Sequence, residues 1–167
     1  MMSEKKYGPY TERIIDHFKN PRNMGEMDDA DVVSKVGAPM CGDELWLYLK
    51  IDKKDGGEPY IKDISFQSFG CAAAVATGSV ITELAKGKTL KEALELSFKD
   101  VDEYLGGLPK IKVHCSLLSC DALHDAIYQY YKENGIATSE RLELLHEKVI
   151  KGTNIAREKV ASGVDYC

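Results

Sequence analysis

The chain has 167 residues, of which 44% are hydrophobic and 29% are charged, a composition typical of an ordinary soluble protein with one sizeable core. Its formal net charge is -5 and it contains no dense Lys/Arg block, so we expect no nucleic-acid partner. No apolar run approaches the roughly 20 residues that span a bilayer, and the first residues lack the apolar core of a signal peptide. We therefore expect a cytoplasmic protein without a membrane partner.

The first half of the sequence predicts a short helix followed by three strands. Residues 10–25 carry apolar side chains at helical spacing before Pro21, which indicates an amphipathic helix that ends there. Three segments rich in Val, Ile, Trp, Tyr and Phe then follow at 31–37, 44–52 and 60–70. Their connections are short and rich in turn residues, so we expect the strands to pair as antiparallel neighbours.

The second half of the sequence predicts helices. Thr89 and Glu92 have the spacing of a capping box at a helix start, whereas Pro109 predicts an extended stretch at 108–113. We expect the final, highly charged helix to be interrupted by Gly152. The predicted helices lie at 71–87, 89–96, 99–107, 115–135 and 140–160.

This order of elements predicts an α+β fold. We expect a three-stranded antiparallel sheet with helices packed on one face, together with an N-terminal helix and a C-terminal helical extension. The predicted organisation is a main domain at 1–135, followed at 136–167 by the helical extension and a flexible tail.

Five cysteines, an odd number at wide spacing, do not indicate structural disulfides in a reducing compartment. Cys41 lies in a turn beside Asp43, and Cys71 opens a helix. Cys115 opens another helix directly after His114. Cysteine, aspartate and histidine are metal-ligand residue types, and element ends of this kind can converge at one edge of a sheet. Helix N-termini favour thiolates, so we expect lowered pKa values for Cys71 and Cys115.

The remaining thiols and histidines carry a weaker signal. A free cysteine commonly packs as a small hydrophobic side chain. Cys120 lies about 140° around the helix axis from Cys115, so we expect it in the core. Cys167 is expected to be an exposed thiol near the end of the chain. We expect surface or capped positions, not metal-ligand roles, for His17, His124 and His146.

Three motifs and the opening helix resemble a known family. The stretches GAPMCGDELWLYLKI, ISFQSFGCAAAVATGS and GGLPKIKVHCSLL, in this order, closely resemble the IscU/NifU N-terminal domain family of iron–sulfur cluster assembly scaffolds. The resemblance covers roughly residues 7–135. Lys112 matches a basic position of the family, where it would either pair with a persulfide or cluster charge or be an ordinary solvated lysine. The cluster and metal ligands that the resemblance implies are Cys41, Asp43, Cys71, His114 and Cys115.

The resemblance implies a scaffold, not an enzyme, that assembles [2Fe-2S] clusters de novo. A cysteine desulfurase of the IscS/NifS kind supplies sulfur as a persulfide, an iron donor supplies iron, and the cluster passes to apo iron–sulfur proteins. Such a scaffold is a monomer or a homodimer linked by the cluster. The same ligands would also hold Zn²⁺ in a tetrahedral site. Lys110 stands where many bacterial members carry the second proline of an Hsp70-type chaperone motif, so the resemblance does not extend to a chaperone partner.

Two other functions would use the same ligands. A zinc-dependent sulfurtransferase of the related SufU branch typically carries an insertion between its second and third cysteines, whereas Cys71 and Cys115 are only 44 positions apart. A small zinc-stabilised interaction domain would explain the ligands but not the sequences that flank them. The spacing and the flanking motifs therefore favour the scaffold.

Overall fold

The computed structural model describes residues 8–163, which contain three strands and six α-helices. The strands are β1 (Val32–Gly37), β2 (Glu44–Lys53) and β3 (Pro59–Phe69). The helices are α1 (Glu12–Lys19), α2 (Ala72–Ala85), α3 (Leu90–Leu94), α4 (Phe98–Tyr104), α5 (Val113–Glu133) and α6 (Glu140–Ala161). Within the described range, no helix has the length and apolar character needed to cross a bilayer. The predicted α+β fold is confirmed.

The register of the sheet decides which loops become neighbours. The strand order is β1-β2-β3, and both neighbouring pairs are antiparallel, as predicted. Glu44 at the start of β2 pairs with Gly37 at the end of β1 and with Phe69 at the end of β3. The β1–β2 connection and the residues that follow β3 therefore lie at the same end of the sheet. This end carries Cys41 and Cys71.

One face of the sheet is covered by α2 and α5. Side chains alternate along β2, so Leu45, Leu47 and Leu49 all enter the core and are fully buried. Burial of each leucine stabilises the fold by about 1.5–3 kcal/mol. Phe66 of β3 lies against Gly78 of α2, where the absence of a side chain lets the helix approach the sheet closely.

This contact at Gly78 predicts a large effect of adding one methyl group. A Cβ atom at this position would lie 2.6 Å from two carbon atoms of the Phe66 ring and 3.1 Å from Leu45. We expect Gly78→Ala to lower the free energy of unfolding by about 1–3 kcal/mol, because over-packing forces the helix away from the sheet. Chemical denaturation measures the change.

Gly152→Ala in α6 is the matched control for Gly78→Ala. Its added Cβ would lie 3.4 Å from Pro39, an ordinary contact distance. Since alanine has the higher helix propensity, we expect this variant to raise the free energy of unfolding by about 0.5–1 kcal/mol. Equal destabilisation by the two substitutions would contradict the assignment of the Gly78 effect to the Phe66 ring.

The extended stretch predicted at 108–113 is found only up to Pro109, and the prediction is wrong from Lys110 onward. Lys110–Lys112 form a 3-10 turn, and Val113 is already the first residue of α5. Pro109 restricts only the residue before it, and its own carbonyl oxygen accepts a hydrogen bond from the Lys112 N–H at 2.7 Å. The helix α5 therefore begins earlier than the sequence predicts.

The predicted interruption of the last helix at Gly152 is also wrong. The helix α6 continues through Gly152 and ends at Ala161. A glycine inside a helix is less favourable than alanine by only about 1 kcal/mol, and tertiary packing outweighs this difference. The side chains that α6 buries are Leu142, Val149, Thr153 and Ala156.

A buried polar network fastens α6 to the body of the protein. Asp125 of α5 is buried and accepts hydrogen bonds from the Ser34 hydroxyl at 2.6 Å and from the Gln129 amide at 2.7 Å. The Nδ1 atom of His146 on α6 lies 2.6 Å from the other oxygen of the same carboxylate, and the imidazole ring stacks on Tyr128. Hydrogen bonds therefore join β1, α5 and α6 in addition to the apolar contacts between these elements.

Candidate metal centre

Three segments meet at one end of the sheet. The first is the connection between β1 and β2, residues 38–43, which we call the Cys41 loop. The second is Cys71, the N-cap residue of α2, which follows β3 after one glycine. The third is the first turn of α5, which carries His114 and Cys115. The sheet register brings the first two segments together, and the packing of α5 on α2 adds the third.

The ligand-type atoms of these segments form two groups that share one residue. His114 Nε2 lies 3.1 Å from Cys41 Sγ, and one ligand atom each from Cys41, Asp43 and His114 lie within 4.8 Å of one another. One ligand atom each from Asp43, Cys71 and Cys115 satisfies the same limit. Asp43 also accepts a hydrogen bond from the Cys71 N–H at 3.4 Å. The structure therefore brings together all five ligand-type residues that the family resemblance implies.

Cys71 and Cys115 form an unequal pair of thiols. Their Sγ atoms lie 3.7 Å apart, beyond the roughly 2.05 Å of a disulfide bond. The hydrogen bond from Cys115 lowers the pKa of Cys71 to about 6, although burial opposes the shift. The Ala74 backbone N–H and the Lys112 ammonium lower the pKa of Cys71 further. Cys71 is therefore a thiolate at neutral pH.

The lowered pKa predicted for Cys115 is wrong. Its hydrogen bond to Cys71 and its complete burial both raise the pKa of Cys115 above the ordinary thiol value of 9.0. Its place in the first turn of α5 does not reverse the shift, because the penalty for a buried charge exceeds the effect of a helix dipole. The hydrogen bond and the deeper burial of Cys115 therefore favour the proton on Cys115 and the negative charge on Cys71.

This difference predicts that Cys71 is the reactive member of the pair in the metal-free protein. Alkylation by iodoacetamide requires the thiolate, so its rate at Cys71 should reach half its maximum near pH 6. Timed quenching followed by peptide mass spectrometry measures the rate at each thiol. In Cys115→Ala the donor is gone, and the midpoint should rise by at least about 1 pH unit. A parent midpoint near 9.0 would contradict the assignment.

Cys120 is a core residue, as predicted. It is 4% exposed and packs in the main apolar core. Burial raises its pKa to about 12. Cys115 packs in a separate cluster with Ala73 and Ala74, so the two thiols of α5 have different surroundings. The prediction for Cys167 falls outside the residues that the structure describes.

The other histidines contact groups that are not part of the centre. His17 is buried, contrary to the surface or capped position expected, and its Nδ1 atom lies 2.7 Å from the Ser79 hydroxyl. Burial lowers the pKa of His17 and of His124. Among residues 8–163, the groups with metal-ligand geometry include none of the three histidines His17, His124 and His146.

Two further residues support the centre, and neither carries a sequence signal for this role. The buried Thr77 hydroxyl of α2 donates a hydrogen bond to the Cys115 carbonyl at 3.1 Å, which holds the start of α5 against α2. A Cβ atom at Gly70 would lie 2.6 Å from Cγ of Asp43, so the position beside Cys71 leaves room only for glycine. Both roles depend on contacts between segments that are distant in the sequence.

The surface beside the centre is apolar and open. Met40 in the Cys41 loop is 71% exposed, and Ile111 in the 3-10 turn is 78% exposed. A cleft of about 650 Å³ lies between the Cys41 loop, α5 and α6, with His114 in its wall. Large apolar side chains exposed around a site are typical of surfaces that bind partner proteins.

The donor set indicates which metal chemistry the centre suits. Thiolates and imidazole are ligands for zinc, iron and iron–sulfur clusters, whereas Mg²⁺ and Ca²⁺ take six or more oxygen ligands. Only Asp43 among the five residues offers an oxygen atom. The residues therefore fit a thiolate-bound metal or cluster.

The sequence profile described as NifU-like N terminal domain matches residues 9–137. The chain belongs to this family. The resemblance stated from the motifs is thus confirmed. The match to the NifU-like family ends before α6 begins, so the whole of this helix lies beyond the matched residues.

Similar members of the NifU-like family are scaffold proteins by name. The iron–sulfur cluster assembly scaffold protein IscU 1 of Archaeoglobus fulgidus is 54% identical over 126 residues, which cover 75% of this chain and 79% of that protein. The scaffold protein IscU of Haemophilus influenzae is 44% identical over 129 residues, which cover 75% and 98%. A crystal structure of a candidate SUF-system scaffold from Fervidobacterium islandicum has a TM-score of 0.56 and 28% identity, covering 74% of this chain and 99% of that one.

Proposed function

We propose that this chain is a scaffold on which [2Fe-2S] clusters are assembled and from which they pass to apo-proteins. The observation that carries the proposal is the pair of overlapping ligand groups, with three thiols and one carboxylate at an open end of the sheet. Thiolates are the usual protein ligands of iron–sulfur clusters. Relatives named as scaffold proteins, at 54% and 44% identity, support the same function. A protein of this kind holds and transfers the cluster and is not itself an enzyme.

Sulfur is proposed to arrive from a cysteine desulfurase as a persulfide. A scaffold thiolate attacks the outer sulfur atom, the sulfur–sulfur bond of the donor breaks, and the desulfurase cysteine leaves as a thiolate. The new persulfide carries a negative charge next to the residues that favour the Cys71 thiolate. The ammonium group of Lys112 is one of them, which supports its proposed auxiliary role.

Asp43 is proposed to keep the bound cluster exchangeable. It belongs to both ligand groups, so its carboxylate lies close to metal bound by either of them. A carboxylate oxygen is a harder ligand than a thiolate and binds the iron of a cluster less strongly. In this proposal Cys41, Cys71 and Cys115 hold the cluster. Asp43 and His114 are the additional ligands, which bind in exchange with one another or with the thiolates.

Partner proteins are proposed to dock on the apolar surface around the centre. Met40 lies in the Cys41 loop and Ile111 lies in the 3-10 turn directly before α5, and both expose large apolar side chains. A partner that covers them comes within reach of the thiols. The proposed partners are the cysteine desulfurase, an iron donor and the apo-proteins that receive the cluster.

A zinc-dependent sulfurtransferase of the SufU type is the second candidate function. The observation that favours it is the donor set, because the same thiols, imidazole and carboxylate would hold Zn²⁺ in a tetrahedral site. The higher identity of the IscU relatives and the short spacing of 44 positions between Cys71 and Cys115 favour the scaffold.

We further propose how the chain is organised and where it acts. Residues 1–135 form the scaffold domain, and 136–167 form a C-terminal extension. The scaffold acts as a monomer or as a homodimer linked by the cluster. The proposed location is the cytoplasm, because a reducing compartment preserves thiols that bind metal.

Anaerobic reconstitution tests the proposed function. The metal-free protein is incubated with ferrous iron, cysteine, a thiol reductant and a catalytic amount of a cysteine desulfurase, and visible absorption is followed. We expect an iron–sulfur chromophore on the protein after gel filtration, and transfer of the cluster to an apo-ferredoxin. The matched control omits the desulfurase. Absence of a chromophore, together with strong Zn²⁺-dependent stimulation of the desulfurase, would contradict the scaffold and favour the sulfurtransferase.

A further inference from the structure

The C-terminal helix α6 contacts the loop that carries two of the ligand residues. The second half of α6 runs beside the Cys41 loop, and its contacts lie on both sides of Cys41. These contacts are made by a part of the chain that follows the residues matched by the family profile. Two of them are hydrogen bonds from side chains of α6 to the backbone of the loop and of the strand before it. The others are places where α6 lies directly against glycine residues of this segment.

Two side chains of α6 bind the backbone of the loop and of the strand that enters it. The Thr153 hydroxyl accepts a hydrogen bond from the Gly37 N–H at 2.9 Å and donates one to the Val149 carbonyl at 2.7 Å. Thr153 is buried, so this hydroxyl is shielded from water. Lys159 donates a hydrogen bond to the Pro39 carbonyl at 2.6 Å. Both bonds act on main-chain atoms within four residues of Cys41.

Glycines on the loop side make the close approach of α6 geometrically feasible. A Cβ atom at Gly37 would lie 2.8 Å from Cβ of Ala156, and one at Gly42 would lie 3.1 Å from Cγ2 of Val160. Gly42 also has a φ of +74°, in the left-handed region that favours glycine. The helix therefore packs directly on the loop backbone, on both sides of Cys41.

The loop itself contains two backbone hydrogen bonds. The Ala38 N–H bonds the Asp43 carbonyl at 2.7 Å, and the Gly42 N–H bonds the Ala38 carbonyl at 2.9 Å. The first and last residues of the loop are thus joined by a hydrogen bond of the loop itself. The hydrogen bonds from α6 reach the segment at Gly37 and Pro39 instead, just before Cys41.

We propose that α6 is a clasp that holds the Cys41 loop in its metal-binding conformation before metal or cluster binds. Thr153 and Lys159 are its positioning residues, and they act through Cys41 and Asp43. A loop that is ordered in advance loses less conformational freedom on binding, so affinity rises without any new ligand. The consequence for cluster retention rests on the proposed scaffold function, whereas the effect on loop order and on Zn²⁺ affinity does not.

Hydrogen exchange of the metal-free protein tests the clasp directly. In Thr153→Val, which keeps the side-chain shape but removes the hydroxyl, and in Lys159→Met, amide exchange across residues 37–43 should be about tenfold faster than in the parent. Thr153→Ser keeps the hydroxyl and should restore slow exchange. Lys132→Met removes an exposed pair with Glu143 at the other end of α6 and should leave exchange in 37–43 unchanged.

Zn²⁺ affinity tests whether the clasp positions the ligands. Competition with a chromophoric chelator should show about threefold to tenfold weaker Zn²⁺ binding in Thr153→Val and Lys159→Met, and parent affinity in Thr153→Ser and Lys132→Met. The half-life of a reconstituted cluster should fall in the same two variants. Unchanged exchange in 37–43, or faster exchange with unchanged Zn²⁺ affinity, would overturn the clasp. A parent that forms no cluster would instead contradict the scaffold function, while the exchange and Zn²⁺ measurements still decide the clasp.

Discussion

Cys41→Ala, Cys71→Ala and Cys115→Ala are each expected to abolish cluster retention. Each substitution removes a thiol ligand from one of the two overlapping groups, and inside each group the ligand atoms lie within 4.8 Å of one another. Because cluster irons are held mainly by thiolates, we expect occupancy after anaerobic desalting to fall below about a tenth of the parent value. Visible absorption and iron analysis of the desalted protein measure it.

Cys120→Ala is the matched control, because it removes a thiol from the same helix without touching the centre. Cys120 is buried in the apolar core, so its loss should reduce the free energy of unfolding by about 1–2 kcal/mol. Cluster occupancy should match the parent. If Cys120→Ala lost the cluster while Cys115→Ala retained it, the assignment of the ligands would be wrong.

Asp43→Ala is expected to slow transfer of the cluster to an apo-ferredoxin by about tenfold. The carboxylate is the hard member of both ligand groups. The hydrogen bond to Cys71 and burial raise the pKa of Cys115, and the negative charge of Asp43 raises it further. Removal of this charge therefore favours the Cys115 thiolate. The rate is measured from the change in circular dichroism as the cluster moves to the acceptor.

The control for Asp43→Ala is Asp52→Ala, which removes the same charge from the exposed far end of β2. Asp52 pairs with Lys62 at 3.6 Å and lies outside the centre. Its variant should transfer the cluster at the parent rate. Transfer from Asp43→Ala at the parent rate would contradict a role of the carboxylate in cluster release.

Local patterns predicted the fold, whereas the full set of ligands came from the resemblance to the scaffold family. Alternating apolar residues fixed the strands, and short turns required antiparallel neighbours. Antiparallel pairing then places Asp43, before β2, beside Cys71, after β3. Helical geometry separated Cys120 from Cys115 in the same way, since the angle between two positions depends only on their spacing.

The features that the sequence did not predict depend on tertiary packing. Complete burial and the neighbouring Cys71 decide the pKa of Cys115, and helix position alone cannot reveal either. The helix α6 passes through Gly152 because its contacts with β1, α5 and the Cys41 loop outweigh the low helix propensity of glycine. The hydrogen bond from Gly37 to Thr153 joins positions 116 residues apart, so no local pattern indicates it.

The hairpin between β2 and β3 offers a position for reporters that stay far from the thiols. The ladder between these strands is regular from Glu44 to Lys50, and its one irregularity falls between Lys50 and Ile51, toward the opposite end. The turn beyond that bulge is exposed, and Gly56 has open space around it. A fluorescent label or an inserted epitope there would leave the strand register beside the centre intact, so cluster arrival and departure could be followed in real time.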